Sequence, residues 1–249
     1  FVHVGQKTPI KQVKFQRLLD ECSPNQDQIQ IYWKEGDPIT TLARASKEFD
    51  VDLLLLGALK RENVVKYYLG SIARKLTRKA PCSVLLMLNP SVDWSPCKHI
   101  VVNGFDSPQT QETVEAAFYI GKYLASDKIT LVGEVSESRV TVSVNDDRSL
   151  RKVTLRKEKI DREEKMRFID IIKKIPDTIT EGLKYETQSI FGRRGYSIGH
   201  YARVVRADLL VMNAKEEQRF FHRFFPSDLD HMLTEIPTDL LIIRSKTYG

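Results

Sequence analysis

The stretch Asp52-Leu53-Leu54-Leu55-Leu56-Gly57 leads, through a basic segment, to Ala80-Pro81 and the apolar run Val84 to Leu88. The same grammar returns as Asp208-Leu209-Leu210-Val211-Met212, followed by Ile236-Pro237 and another apolar run. Asp and Pro stand 29 positions apart in both cases. An offset of 156 residues also lays Gly36 on Gly192, Leu42 on Ile198, Ala58 on Ala214, Ser71 on Ser227, Leu76 on Met232 and Leu85 on Leu241. Equal spacing in a shared register points to an internal duplication.

Around these anchors each repeat alternates strand and helix patterns, as expected for an α/β chain with a mostly parallel sheet. The strand candidates are near-continuous apolar runs, the composition of strands covered on both faces. In the first repeat they lie near Phe1 to Val4, Ile29 to Trp33, Leu53 to Leu56 and Val84 to Leu88. Helices are expected over Pro38 to Phe49, with Asp37 as cap, and over Ser71 to Lys79, where Ile72, Ala73 and Leu76 share a face.

The second repeat opens with a strand over His99 to Phe105 and a helix start at Asp106-Ser107-Pro108, with Ser107 as cap. Val114, Ala117, Phe118, Gly121 and Leu124 form its inward face, and a strand over Ile129 to Val132 follows. The first repeat begins at the equivalent of that later strand, so its opening strand and helix are expected to be missing and Phe1 to stand in mid-domain. The expected domains are 1–90, a linker at 91–98 interrupted by Ser95 and Pro96, and a degenerate 99–249 with a charged insertion at about 138–165. That insertion, from Arg148 through Lys165, is expected to be a solvated helix or mobile loop rather than a docking segment.

Composition narrows the function classes. With 41% hydrophobic and 29% charged residues the chain is an ordinary globular protein rather than a disordered or fibrous one. No apolar run approaches the ~20 residues that cross a bilayer. Cys22, Cys82 and Cys97 are odd in number and none lies in a CxxC spacing, which suits a reducing compartment and removes finger and thioredoxin readings.

The first repeat resembles the universal stress protein family. The resemblance rests on Glu35-Gly36-Asp37-Pro38 before a helix, on Val51-Asp52-Leu53 to Gly57, on Leu69-Gly70-Ser71, and on Ala80-Pro81-Cys82-Ser83-Val84. In the second repeat it continues through Asp106-Ser107, Ala207-Asp208-Leu209 and Ile236-Pro237. It implies two tandem α/β repeats, each a mostly parallel five-stranded sheet flanked by helices. It also implies pairing of the repeats within the chain or dimerisation, and often an adenine nucleotide at the carboxyl ends of the strands.

Nucleotide-binding members carry glycine, two residues, glycine, nine residues, then glycine followed by Ser or Thr. Here Gly57, Gly70 and Ser71 match, and Lys60 replaces the second glycine. Glycine lets backbone N–H groups approach phosphate, and the Gly-Ser pair opens a helix whose N-terminus favours an anion. The expected cofactor site is therefore Gly57, Lys60, Gly70 and Ser71, with ATP as its ligand. In the second repeat the same register gives Asn213, Glu216, Pro226 and Ser227, a set that should reject phosphate because Pro226 lacks an N–H and Glu216 is anionic. Asp106 matches the acidic residue that closes the first strand in nucleotide-binding members.

Other features read as structural. Lys60 to Lys79 holds seven basic residues against Glu62, a solvated basic face with no nucleic-acid motif. Phe220-Phe221-His222-Arg223-Phe224-Phe225 is expected to pack a core or an interface. His3, His99, His200, His222 and His231 show no zinc spacing, and Glu35 and Asp37 are not expected to be catalytic. The expected protein is a non-enzymatic cytoplasmic regulatory or stress-response module, with the repeats paired, a homodimer open, a protein partner unidentified, and no specific nucleic acid, metal or membrane segment. The competing readings are a slow ATP hydrolase and the soluble regulatory tail of a membrane transporter.

Overall fold

The structure is a computed structural model, and it describes residues 1–22, 28–57, 70–88, 90, 95–140, 146–193, 195–213, 233 and 236–244. The N-terminal segment runs β1 (Val2–Val4), α1 (Pro9–Cys22), β2 (Tyr32–Lys34), α2 (Pro38–Glu48), β3 (Leu53–Gly57), α3 (Ser71–Lys79) and β4 (Ser83–Met87). The C-terminal segment runs β5 (His99–Asn103), α4 (Thr110–Tyr123), β6 (Lys128–Ser136), α5 (Asp147–Ile172), α6 (Asp177–Thr180), β7 (Tyr185–Gly192), α7 (Ser197–Val204), β8 (Leu209–Asn213) and β9 (Asp239–Ile243).

The strands form a two-stranded sheet, β1-β2, and a seven-stranded sheet in the order β3-β4-β9-β8-β5-β6-β7. Every pairing is parallel except β4 with β9. The α/β class is as expected, but the two segments share a sheet instead of each holding its own. In the C-terminal segment β5 is central, hydrogen-bonded to β6 on one side and β8 on the other. Among the described residues no strand holds that place between β1 and β3, so the ladder of the N-terminal segment divides there.

Two apolar layers cover the large sheet. One joins both segments, packing Ala73, Leu86 and Val84 with Leu210, Leu240 and Ile242. The other lies under α4 and the end of α5, where Val114, Ala117, Phe118, Phe168 and Ile172 bury Leu209 and Val211. Their counterparts 156 positions earlier, Leu53 and Leu55, have no such helix above them among the described residues and are 42% and 55% exposed.

Local signals explain most element ends. Asp37 caps α2 by accepting from the Thr40 amide at 2.9 Å, with Pro38 following in the first turn. The expected Ser107 cap is not one. Thr110 Oγ1 accepts from the Ser107 amide at 3.1 Å and its own amide donates to Ser107 O, so 107–110 is a turn and α4 opens one turn later. Leu124, expected inward, follows the last turn of α4 and is 45% exposed.

The charged insertion is a helix rather than a loop. Asp146 and Ser149 form a reciprocal capping box that starts α5. Ile160 packs with Val135 and Val140, and Phe168, Ile171 and Ile172 enter the layer under α4. Only the outer face of α5 is solvated. The aromatic run Phe220 to Phe225 lies outside the described residues.

Candidate functional site

In an open parallel sheet the ligand crevice lies beyond the carboxyl ends of the strands, where successive connections leave in opposite directions. The C-terminal segment has that switch point between β5 and β8, and its own side chains occupy it. Asn213 Nδ2, at the end of β8, donates to Ser107 Oγ in the turn after β5 at 2.8 Å, bridging the two strand ends. Asn213 is 9% exposed, while the neighbouring Asp106 is exposed.

Beside this bridge, α5 lies over the ends of β5 and β6. A Cβ at Gly104 would collide with the Phe168 ring, and one at Gly133 would lie 2.8 Å from Glu164 Oε2. Arg167 donates to Gly104 O at 2.5 Å and pairs with Glu164, also at 2.5 Å. Its guanidinium lies 4.5 Å from the Phe168 ring centroid. The glycines that would let a ligand approach the backbone instead receive the protein's own aromatic and ionic groups.

A further internal anion sits across the sheet. Glu134 on β6 is 6% exposed, and its carboxylate accepts from the Gly195 amide at 2.8 Å and from the Ile198 amide at 3.1 Å. The N-terminus of α7 is thereby satisfied by a side chain. The sequence signal was a single carboxylate inside the apolar run Ile129 to Val135, which needs donors when buried.

The N-terminal segment differs. Gly57 ends β3, Gly70 is the N-cap of α3, and Ser71 is its first residue. Because α3 connects parallel strands β3 and β4, Gly57 and the start of α3 fall at the same, carboxyl end of the sheet. Among the described residues no side chain caps α3. Lys60, the remaining expected ligand, lies outside the described residues, as do Glu216, Pro226 and Ser227.

Lys75 is exposed on α3, Arg78 and Lys79 are exposed in its last turn at the far end from Gly70, and Arg74 donates to Leu233 O at 2.8 Å and ties the helix to the other segment. Asp37 is held below the usual carboxylate range by its hydrogen bonds from Thr40, with the Lys75 charge assisting. Its Oδ2 accepts from both the Thr40 amide and hydroxyl, so this carboxylate serves the helix cap. Among the described residues no group of three or more His, Cys, Asp or Glu side chains is placed to hold a metal ion.

A mostly parallel sheet with crossover helices and a glycine-serine helix start at the carboxyl end of its strands give an α/β fold of the universal stress protein type. The family model for the universal stress protein family matches residues 6–87. A universal stress protein from Methanothermobacter thermautotrophicus is 37% identical over 54 residues, which are 22% of this chain and 36% of that protein. The chain therefore spans about a third of the curated relative it matches. Among solved structures, a universal stress protein from Archaeoglobus fulgidus aligns with a TM-score of 0.60 at 12% identity, over 98% of this chain and 82% of its own. A putative universal stress protein from Pseudomonas aeruginosa gives 0.64 at 14% identity with the same coverage. At these identities the likeness is one of fold. Among the described residues no helix is long and apolar enough to cross a membrane.

Proposed function

We propose that the chain is a non-catalytic, cytoplasmic regulatory module of a duplicated kind, in which the N-terminal segment offers an adenine nucleotide site and the C-terminal segment serves as its built-in partner. The observation that carries this reading is the asymmetry of the two strand ends. The C-terminal crevice is bridged by Asn213 and Ser107 and covered by Phe168, Arg167 and Glu164. The N-terminal one keeps Gly57 and a helix start at Gly70-Ser71 that carries no side-chain cap among the described residues. ATP is the candidate ligand, its phosphates lying against the first-turn amides of α3 and Lys60 supplying a countercharge.

Calorimetric titration of ATP with magnesium into the chain tests this, with Gly70→Asp as the control. Binding that the variant abolishes, together with an ATP-dependent rise in melting temperature, is the expected result. Absence of both heat and thermal shift would sink the nucleotide reading. Steady release of phosphate that Gly70→Asp abolishes would overturn the non-catalytic one.

A further inference from the structure

The equivalent crossover helices of the two segments differ in length: α1 has 14 residues and α5 has 26. The added length is ordered, because a capping box starts α5 and Val153 and Ile160 hold its inner side against Val135, Val140 and Phe191. The opposite side is exposed among the described residues. Arg148, Lys152, Leu155, Lys159, Arg162 and Met166 follow one another at steps of four and three residues, the spacing of a helix-pairing seam, and all six are exposed. Leu155 is 55% exposed and Met166 51%. Over 148–166 the seam is about 27 Å long at 1.5 Å per residue.

The charge on this face works against the helix that carries it. Arg148 with Arg151 and Lys152, Lys152 with Arg156, and Arg156 with Lys159 are like-charge neighbours at three or four residues, each mildly destabilising. Arg148 also lies in the first turn, where the helix dipole disfavours a cation. Lys159 has Glu163 at 3.8 Å, but Arg148, Arg151, Lys152 and Arg162 have no acidic partner among the described residues. The span 148–159 holds six cations and one carboxylate, Glu158. A polyphosphate backbone or an anionic bilayer would meet the cations but leave Leu155 and Met166, about 16 Å apart, without matched apolar contacts. A second helix answers both requirements.

We propose that the outer face of α5 is a docking surface for an acidic amphipathic helix of a partner protein, with carboxylates opposite Arg148, Lys152, Lys159 and Arg162 and apolar side chains opposite Leu155 and Met166. Charge attraction sets its encounter rate and register, and the two apolar contacts set its residence time.

The test titrates the whole chain with a synthetic helix of roughly three heptads, carrying glutamates and leucines at the complementary positions. Poly-glutamate, duplex DNA and phosphatidylserine vesicles are run beside it. The expected result is salt-sensitive binding of the helix, weakened roughly tenfold or more by the triple reversal Arg148→Glu, Lys152→Glu, Arg162→Glu. Leu155→Ser should weaken the helix but leave poly-glutamate unchanged. These side chains are solvent-facing, so unchanged circular dichroism and melting temperature verify that the variants fold. Equal affinity for poly-glutamate and the helix, tighter binding of DNA or vesicles, or insensitivity to Leu155→Ser would each overturn the proposal.

Discussion

Leu85 and Leu241, related by the 156-residue offset, are paired directly with each other at the middle of the antiparallel β4–β9 ladder. Val84 meets Ile242 and Leu86 meets Leu240 on either side, so the pairing is symmetric about this residue pair. Arg244 extends the junction by donating to Thr77 O and Arg78 O, both at 2.9 Å, closing the carbonyl end of α3. The surroundings are not symmetric. Leu241 is 2% exposed in the layer under α4, whereas Leu85 is only half-buried beside it.

Leu241→Ala is therefore expected to destabilise by about 2–5 kcal/mol, the range for deleting a buried leucine. Leu85→Ala should cost clearly less, because part of its surface already meets water. Urea unfolding of both variants checks the order. Equal losses would show that the two sides of the junction are equally packed, contrary to the structure.

Glu134→Gln leaves one oxygen to accept from Gly195 or Ile198 and turns an amide group toward the other donor. Hydrogen bonds to charged groups contribute roughly 1.5–3 kcal/mol, so the variant should lose stability on that scale. Its melting temperature should fall while the sheet content seen by circular dichroism stays unchanged.

The second end of the junction is pH-sensitive. Burial pushes the Asp239 carboxyl above its ordinary value, against the hydrogen bond it accepts from the Leu88 amide at 2.9 Å, and the nearby Asp208 charge raises it further. A carboxyl with a folded pKa above the unfolded one binds its proton more tightly in the fold. It therefore costs stability as pH rises from about 3.8 through the folded value. Asp239→Asn should be more stable than the parent at pH 7, with the difference vanishing below pH ~3.5. Urea unfolding at both pH values measures it, and a variant less stable at pH 7 would contradict the sign.

Burial also pushes the Cys97 thiol up to about 11, with Asp208 and Asp239 adding to the effect against the Ser126 hydrogen bond. Its thiolate fraction at pH 8 is then roughly a hundredfold below that of a free cysteine. In a Cys22→Ser background, iodoacetamide should label Cys97 at least that much more slowly than glutathione, and the rate should keep climbing past pH 9. Rapid labelling at pH 7 would refute this environment.

The sequence made the strand register legible because apolar runs, Pro punctuation and spacing all repeat with one offset. Strand edges moved by only a residue or so at β3, β4 and β5, where near-continuous leucine, isoleucine and valine leave little choice. Helix α1 was missed for a physical reason: Ile10, Val13 and Leu18 lie exposed, so it has no strong apolar face to read. The Ser107 cap failed because Thr110 competes for the same local hydrogen bonds. Of the expected ligands, Gly57 ends β3 and Gly70 and Ser71 open α3, while Lys60 lies outside the described residues. The blocking of the other crevice was expected from Pro226 and Glu216, but the described blockade comes from Asn213, Phe168, Arg167 and Glu164. Their convergence depends on where α5 crosses the sheet, which no local pattern encodes.

The β4–β9 ladder also bears on how such a protein can change. In an assembly of two identical chains every substitution is written twice, so a residue that closes one crevice closes both. With both sides of the ladder in a single polypeptide, each side mutates alone. Asn213, Glu134 and the long α5 accordingly stand on one side only, and Gly57 and Gly70 on the other.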